Sequence, residues 1–205
     1  MKTRKTLKAL LLLAGAIALP AVAQETSPPA TASAAPASPG VNVGAEKYFG
    51  DLPKLLDQDG RPVHLYGDLM KGKVVVIDAI FTSCPGACPV MSRNFAKIQD
   101  WLGDRLGKDA FLISISVDPE TDTPAKLKEY AARFNARPGW YFLTGSKEDV
   151  GAVLKKLGQY VAKPDDHGNL FLIGNDTTGL WKKAFGLADA GELIPIVDSV
   201  LNDRG

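Results

Sequence analysis

The sequence predicts a mixed α/β domain with a central sheet flanked by helices, and three observations carry that prediction. Residues 73–81 (Lys-Val-Val-Val-Ile-Asp-Ala-Ile-Phe) are almost continuously apolar and rich in β-branched side chains, as a strand covered on both faces must be. Residues 110–117 repeat that character. Around these runs lie segments whose apolar positions recur at helical spacing. Strands alternating with helices bury their apolar faces by layering helices on a sheet.

The elements follow in order. Asp57-Gln58-Asp59-Gly60 is a turn signal between two short extended pieces, so residues 48–66 are expected to start the domain with a hairpin. After the 73–81 strand, Pro89 suits the first turn of a helix running to about residue 106, with Cys88 at its N-cap. Phe95, Ile98 and Leu102 give that helix an apolar stripe, against which Met91 also reads as core. Thr123-Pro124 opens a helix after the 110–117 strand, with Leu127, Tyr130, Ala131 and Phe134 on one face. Residues 140–143 are a short strand whose Trp140 and Phe142 read as core. Ser146 caps a helix that carries Glu148 and Asp149 in its first turn and ends near Gly158. Residues 169–173 and 179–185 are strands joined by a polar turn, and a last helix covers 190–201. This order suits a thioredoxin-like fold, with a dithiol at a strand-to-helix junction.

Ahead of the domain, Lys2, Arg4, Lys5 and Lys8 precede an apolar run and then small residues ending at Ala23. That is the layout of a secretory signal over residues 1–23. The apolar run is shorter than the ~20 residues of a membrane span, so cleavage is expected rather than anchoring, and the anchored form is the alternative. Removing the signal takes away four basic residues and no acid, which moves the formal charge from +1 to −3. No basic tract is left to suggest nucleic acid. Residues 24–44 are rich in Pro, Ala and Ser and read as a flexible tether, leaving 45–205 as one domain. The expected location is the periplasm, where neighbouring thiols oxidise unless they are kept reduced or metallated.

Both cysteines of the chain, Cys84 and Cys88, lie in Phe81-Thr82-Ser83-Cys84-Pro85-Gly86-Ala87-Cys88-Pro89. A disulfide between them would close a loop too short to stabilise the fold much. The pair is therefore a metal site, a redox couple, or both. A helix N-terminus behind Cys88 favours thiolate, but Cys-x-x-x-Cys is not the Cys-x-x-Cys of thioredoxin-type oxidoreductases, and spacing alone does not separate the two chemistries. There are two histidines. His64, in the hairpin region, reads as solvated or structurally bonded, and on position alone His167 reads as a surface histidine slightly more readily than as a ligand. Asp78 is an acid in an otherwise apolar strand, placed either to tune the thiols or toward a polar edge.

Four motifs in order tip the balance: the 73–89 strand and cysteine loop; Ile115-Ser116-Val117-Asp118-Pro119-Glu120-Thr121-Asp122-Thr123-Pro124; Gly139-Trp140-Tyr141-Phe142-Leu143-Thr144-Gly145; and Asp166-His167 before a strand. Over residues 48–203 this set resembles the Sco/SenC family. The resemblance implies a thioredoxin-like fold and copper, as Cu(I) or Cu(II), bound by Cys84, Cys88 and His167. It also implies assistance in assembling the copper centre of cytochrome c oxidase. The implied partners are a copper-containing oxidase subunit or other cuproprotein, a copper donor and a thiol reductant, with the membrane reached only through a partner. The donor chemistry agrees, because thiolates select Cu(I), imidazole accommodates both oxidation states, and three ligands leave a closed structural zinc site incomplete. Asp165 or Asp166 is a candidate partner for the second nitrogen of His167, with solvated loop acids the alternative. Asp118, Asp122 and Thr123 are assigned turn and helix-cap duties. Where relatives commonly carry an acid after the loop proline, this chain has Gly86. A non-enzymatic metallochaperone is the expected function. The alternative is a thiol–disulfide oxidoreductase, with Cys84 attacking and Cys88 resolving as a redox-active pair. A peroxiredoxin-like activity lacks its Pro-x-x-x-Thr-x-x-Cys context, since Thr82 lies only two positions before Cys84.

Overall fold

The computed structural model describes residues 43–205. The expected export signal lies outside the described residues, as do residues 24–42 of the expected tether; its last two residues instead open helix α1, Val43–Phe49. The hairpin follows as two-residue antiparallel strands, β1 (Leu55–Leu56) and β2 (Pro62–Val63). Its turn is closed by Asp57, whose carboxylate accepts from the backbone N–H groups of Asp59 and Arg61 at 2.8 Å each. A single π-helical turn, Leu65–Met70, comes next and was not anticipated. His64 caps it: Nδ1 accepts from the Gly67 N–H at 3.1 Å, while the His64 N–H donates to Asp68. That is a structural duty.

The remaining elements are β3 (Val74–Ile80), α2 (Ala87–Leu102), β4 (Ala110–Ser116), α3 (Pro124–Arg133), β5 (Trp140–Leu143), α4 (Lys147–Lys156), β6 (Leu170–Asn175), β7 (Trp181–Phe185) and α5 (Ala190–Leu201). Short 3-10 turns follow α2 and precede β6. The five long strands form one mixed sheet in the order β5-β4-β3-β6-β7. β3, β4 and β5 run parallel, and β6 and β7 turn back antiparallel.

Both faces of this sheet are covered, which explains the unbroken apolar runs. In β3, Val74, Val76 and Ile80 face the layer of α2, α3 and α5, where Phe95, Ile98, Tyr130 and Val197 are buried. Val75, Ile77 and Ala79 face α1, the π-turn and α4, with Phe49, Leu65, Val153 and Leu154. Met91, Trp140 and Phe142 are core residues, as expected.

The caps fall where the polar residues predict. Ser146 Oγ accepts from the Asp149 N–H at 3.0 Å, and Thr123 Oγ1 accepts from Lys126 at the start of α3. The boundary of α2 differs from expectation. Gly86 occupies its N-cap position and Cys88 lies inside the first turn, and the helix proper stops at Leu102, before Gly103 with φ +54°.

Candidate metal centre

The topology explains how residues 79 positions apart come to meet. β3 delivers the chain into the cysteine loop at its C-terminal end, and its neighbour β6 starts just after His167. Because β3 and β6 are antiparallel, the end of one lies beside the beginning of the other. Extending their register from Ile77↔Leu172 by five residues brings Thr82 opposite His167. A parallel β6 would have put His167 at the far end of the sheet.

At this edge the ligating atoms of Cys84, Cys88 and His167 all lie within 4.8 Å of one another. Cys88 Sγ is 3.3 Å from His167 Nε2. Nδ1 of the same ring faces the Gly168 carbonyl at 3.2 Å. With its proton on Nδ1, donated to that carbonyl, the imidazole turns the Nε2 lone pair toward the sulfurs. The second-nitrogen partner is thus a backbone oxygen, and neither Asp165 nor Asp166 fills that place. The ring also stands edge-on to Phe81, with centroids 5.5 Å apart and planes at 87°.

The two thiols differ in setting. Cys84 is partly exposed and Cys88 is fully buried, and both are free thiols. Burial pushes the Cys88 thiol well above the ordinary range, with the Phe81 backbone opposing and the neighbouring Cys84 and Asp78 adding to the rise. The expectation of a thiolate favoured by the helix N-terminus therefore fails at Cys88. A helix end contributes about 0.3–1 kcal/mol, whereas burial of a charge shifts a titration by several pH units. Desolvation wins. His167 is shifted down by its own burial, with the Gly168 carbonyl and Asp165 opposing, so its neutral form is favoured. No charged side chain occurs between Asp78 and Arg93, so the loop around the sulfurs is neutral.

Behind the cysteines lies a polar layer that sequence reasoning only partly identified. Asp78 is wholly buried, not at a polar edge, and neither carboxyl oxygen has a hydrogen-bond partner among the described residues. Ser92 and Tyr130 hydroxyls pair at 3.0 Å nearby on α2 and α3. Asp122 is also wholly buried. Its carboxylate accepts from the Thr82 N–H (3.2 Å), the Thr82 hydroxyl (2.5 Å) and the Ser116 hydroxyl (2.6 Å). A cleft of about 790 Å³ sits at the opposite end of β3, around Lys73, Arg105 and Asn202, away from the sulfurs.

Comparison with known proteins places this architecture. The SCO1/SenC family profile matches residues 45–184. The SCO1 protein homolog of Bacillus subtilis is 36% identical over 129 residues, covering 58% of this chain and 65% of that protein. Copper-bound ScoI of Arabidopsis thaliana superposes with a TM-score of 0.60 at 28% identity, over 72% of this chain and 95% of that one. BsSco, described as a member of the Sco family of cytochrome c oxidase assembly proteins with a disulfide switch, gives a TM-score of 0.60 at 32% identity, over 72% and 90% of the two chains. The chain spans just under two thirds of the length of the first curated relatives, 65% and 60%. Since the family match takes in more than half the chain and includes the cysteine loop and His167, this chain belongs to the SCO1/SenC family.

Proposed function

We propose that this chain is a copper carrier of the periplasm, exported by a cleaved signal, that binds one copper ion through Cys84, Cys88 and His167 and hands it to a cytochrome c oxidase subunit or another cuproprotein. The observation that carries the reading is the convergence of two sulfurs and an imidazole nitrogen within 4.8 Å. Soft sulfur donors suit Cu(I), and the neutral imidazole suits either oxidation state. Copper-bound Sco relatives support the identity of the metal, and BsSco supports the oxidase as recipient. Partial exposure of Cys84 leaves a side from which an acceptor's ligand can approach while the donor's ligands are still attached. Anaerobic Cu(I) titration of the reduced domain with a competing chelator should give one ion per chain. The His167→Ala variant should lose more than the ~10–100-fold in affinity that removal of an outer-shell partner costs. Unchanged affinity in that variant would remove His167 from the site.

A second reading rests on the unequal thiols. A partly exposed Cys84 beside a buried, protonated Cys88 is the arrangement of an attacking and a resolving thiol, so reduction of a partner's disulfide is an alternative role. In that role His167 is dispensable, and the same variant separates the two.

A further inference from the structure

We infer that Asp122 is a positioning residue of the dithiol: through Thr82 and Ser116 it fixes where Cys84 stands relative to Cys88 and His167. The inference rests on the reading of these three residues as the working site.

Asp122 belongs to the β4–α3 connection, whose sequence looks like turn and cap chemistry, and its backbone does close such a turn, its N–H donating to the Asp118 carbonyl at 2.8 Å. The side chain does something else. It reaches across to Thr82, 40 residues away and two residues before Cys84, and takes both the backbone and the hydroxyl hydrogens of that residue. Its second oxygen accepts from Ser116 at the end of β4. Ser116 Oγ in turn accepts from the Asp118 N–H at 3.0 Å, which leaves its own proton directed at Asp122. Every donor in the chain thus has one direction, and only an acceptor at both oxygens satisfies all of them. An isolated buried carboxylate would be expensive, but this one is saturated with donors.

The consequence falls on Cys84. On one side of the loop, the Val117 N–H donates to the Ile80 carbonyl at 2.8 Å, the last tie of β3 to the sheet. Beyond it Thr82 is held by Asp122, and the Cys84 N–H closes a turn on the Phe81 carbonyl at 3.2 Å. After Cys84 come Pro85 and Gly86, both exposed, before the helix begins. The approach to Cys84 is therefore tied by hydrogen bonds on the Asp122 side, where Cys84 also packs partly against the core, while Cys88 is fixed independently by its burial in α2. Loosening Asp122 moves one thiol and not the other.

The test uses the mature protein in two near-isosteric variants. Asp122→Asn replaces one acceptor oxygen with a donor, and Thr82→Val removes one hydroxyl while leaving its N–H bond. The metal-free readout is the equilibrium with glutathione. The two protein thiols and one glutathione disulfide give the Cys84–Cys88 disulfide and two glutathione thiols, with both protein protons passing to the glutathione released. The second readout is Cu(I) affinity by competition. Because the effective concentration of one thiol at the other depends on the position of Cys84, we expect Asp122→Asn to lower both constants by about tenfold and Thr82→Val by about threefold. The double variant should resemble Asp122→Asn alone, because both changes act through one contact. A merely structural Asp122 would lower the melting temperature and leave both constants unchanged in the folded protein, and that result overturns the inference. If Asp122→Asn does not fold, Thr82→Val decides by the same criteria. A wild type that binds no Cu(I), with a disulfide equilibrium that still shifts in the variants, would sink the copper reading and leave the role of Asp122 standing.

Discussion

Asp78 offers the sharpest quantitative test of the packing behind the site. Its carboxyl sits in β3 beside Ser114 of β4, fully buried, and among the described residues no group makes a well-formed hydrogen bond to either oxygen. Ser114 Oγ already accepts from the Trp140 indole at 3.1 Å. Desolvation pushes the Asp78 titration up to about 7, with the Ser114 hydroxyl opposing, from 3.8 in an open chain. Below 3.8 both the folded and unfolded chains hold the proton, and stability is at its highest. As pH rises from 3.8 to 7 only the unfolded chain ionises, so stability falls. Above 7 both ionise, and the loss levels off at about 4 kcal/mol. By the same relation about 1.5 kcal/mol is gone at pH 5 and nearly all of it at pH 8. In Asp78→Asn this loss is absent at every pH. Burying an amide adds an offset, but one that does not vary with pH. The variant's stability relative to wild type should therefore rise by about 2.5 kcal/mol between pH 5 and pH 8. Urea unfolding of the reduced, metal-free proteins, followed by far-ultraviolet circular dichroism, reads the difference directly. A change under about 0.5 kcal/mol would mean that the carboxylate is paired in solution, and the reasoning from burial would fail.

Other consequences can be checked with the same proteins. Gly139 has φ +103°, and a Cβ there would lie 2.5 Å from the Gly107 backbone nitrogen, so Gly139→Ala should cost about 2–3 kcal/mol in urea unfolding. Gly158→Ala, at φ +67° with open space around it, is the control and should cost only about 1 kcal/mol. Apparent Cu(I) affinity should rise at least tenfold per pH unit between about pH 7 and 9 for the proton that Cys88 gives up, and more steeply wherever Cys84 also has a proton to release. His167, held neutral by burial, adds nothing to that slope; a flat profile would show that Cys88 is already ionised. Met91→Leu should leave Cu(I) stoichiometry at one per chain, since Met91 is wholly buried among apolar side chains.

Much of the sheet was legible because its central strands are buried on both faces and therefore carry no polar alternation. The helices announced themselves through caps such as Thr123 and Ser146, where side chain and backbone meet within three residues. What escaped was, the local π-turn apart, held by distant partners. Helix α1 is seven residues long, includes Gly44, and is fixed by packing Ala45 and Phe49 on the sheet rather than by propensity. The π-turn depends on His64 and Asp68 closing on each other's neighbours. His167 became a candidate ligand only by resemblance, since no local signal reports that β6 runs antiparallel to β3. Asp122 was hidden differently: its segment satisfies a turn reading so well that nothing suggests its side chain points elsewhere.

The contact between Cys88 and His167 bears on how the site loads. In the metal-free protein the buried thiol keeps its proton and directs it at Nε2, 3.3 Å away, while Nδ1 is tied to Gly168. This contact gives the desolvated His167 nitrogen a partner and adds to the contacts that the Cys88 sulfur has with the Phe81 backbone and Cys84. The proton therefore holds both side chains near the orientation that a metal between them requires. Copper entering from the Cys84 side has one proton to displace there and no histidine loop to order, so the conformational cost of assembling these two ligands is met in folding rather than at binding. The remaining freedom belongs to Cys84, which is partly exposed. That is the ligand to release first if copper is to pass to an acceptor while Cys88 and His167 still hold it.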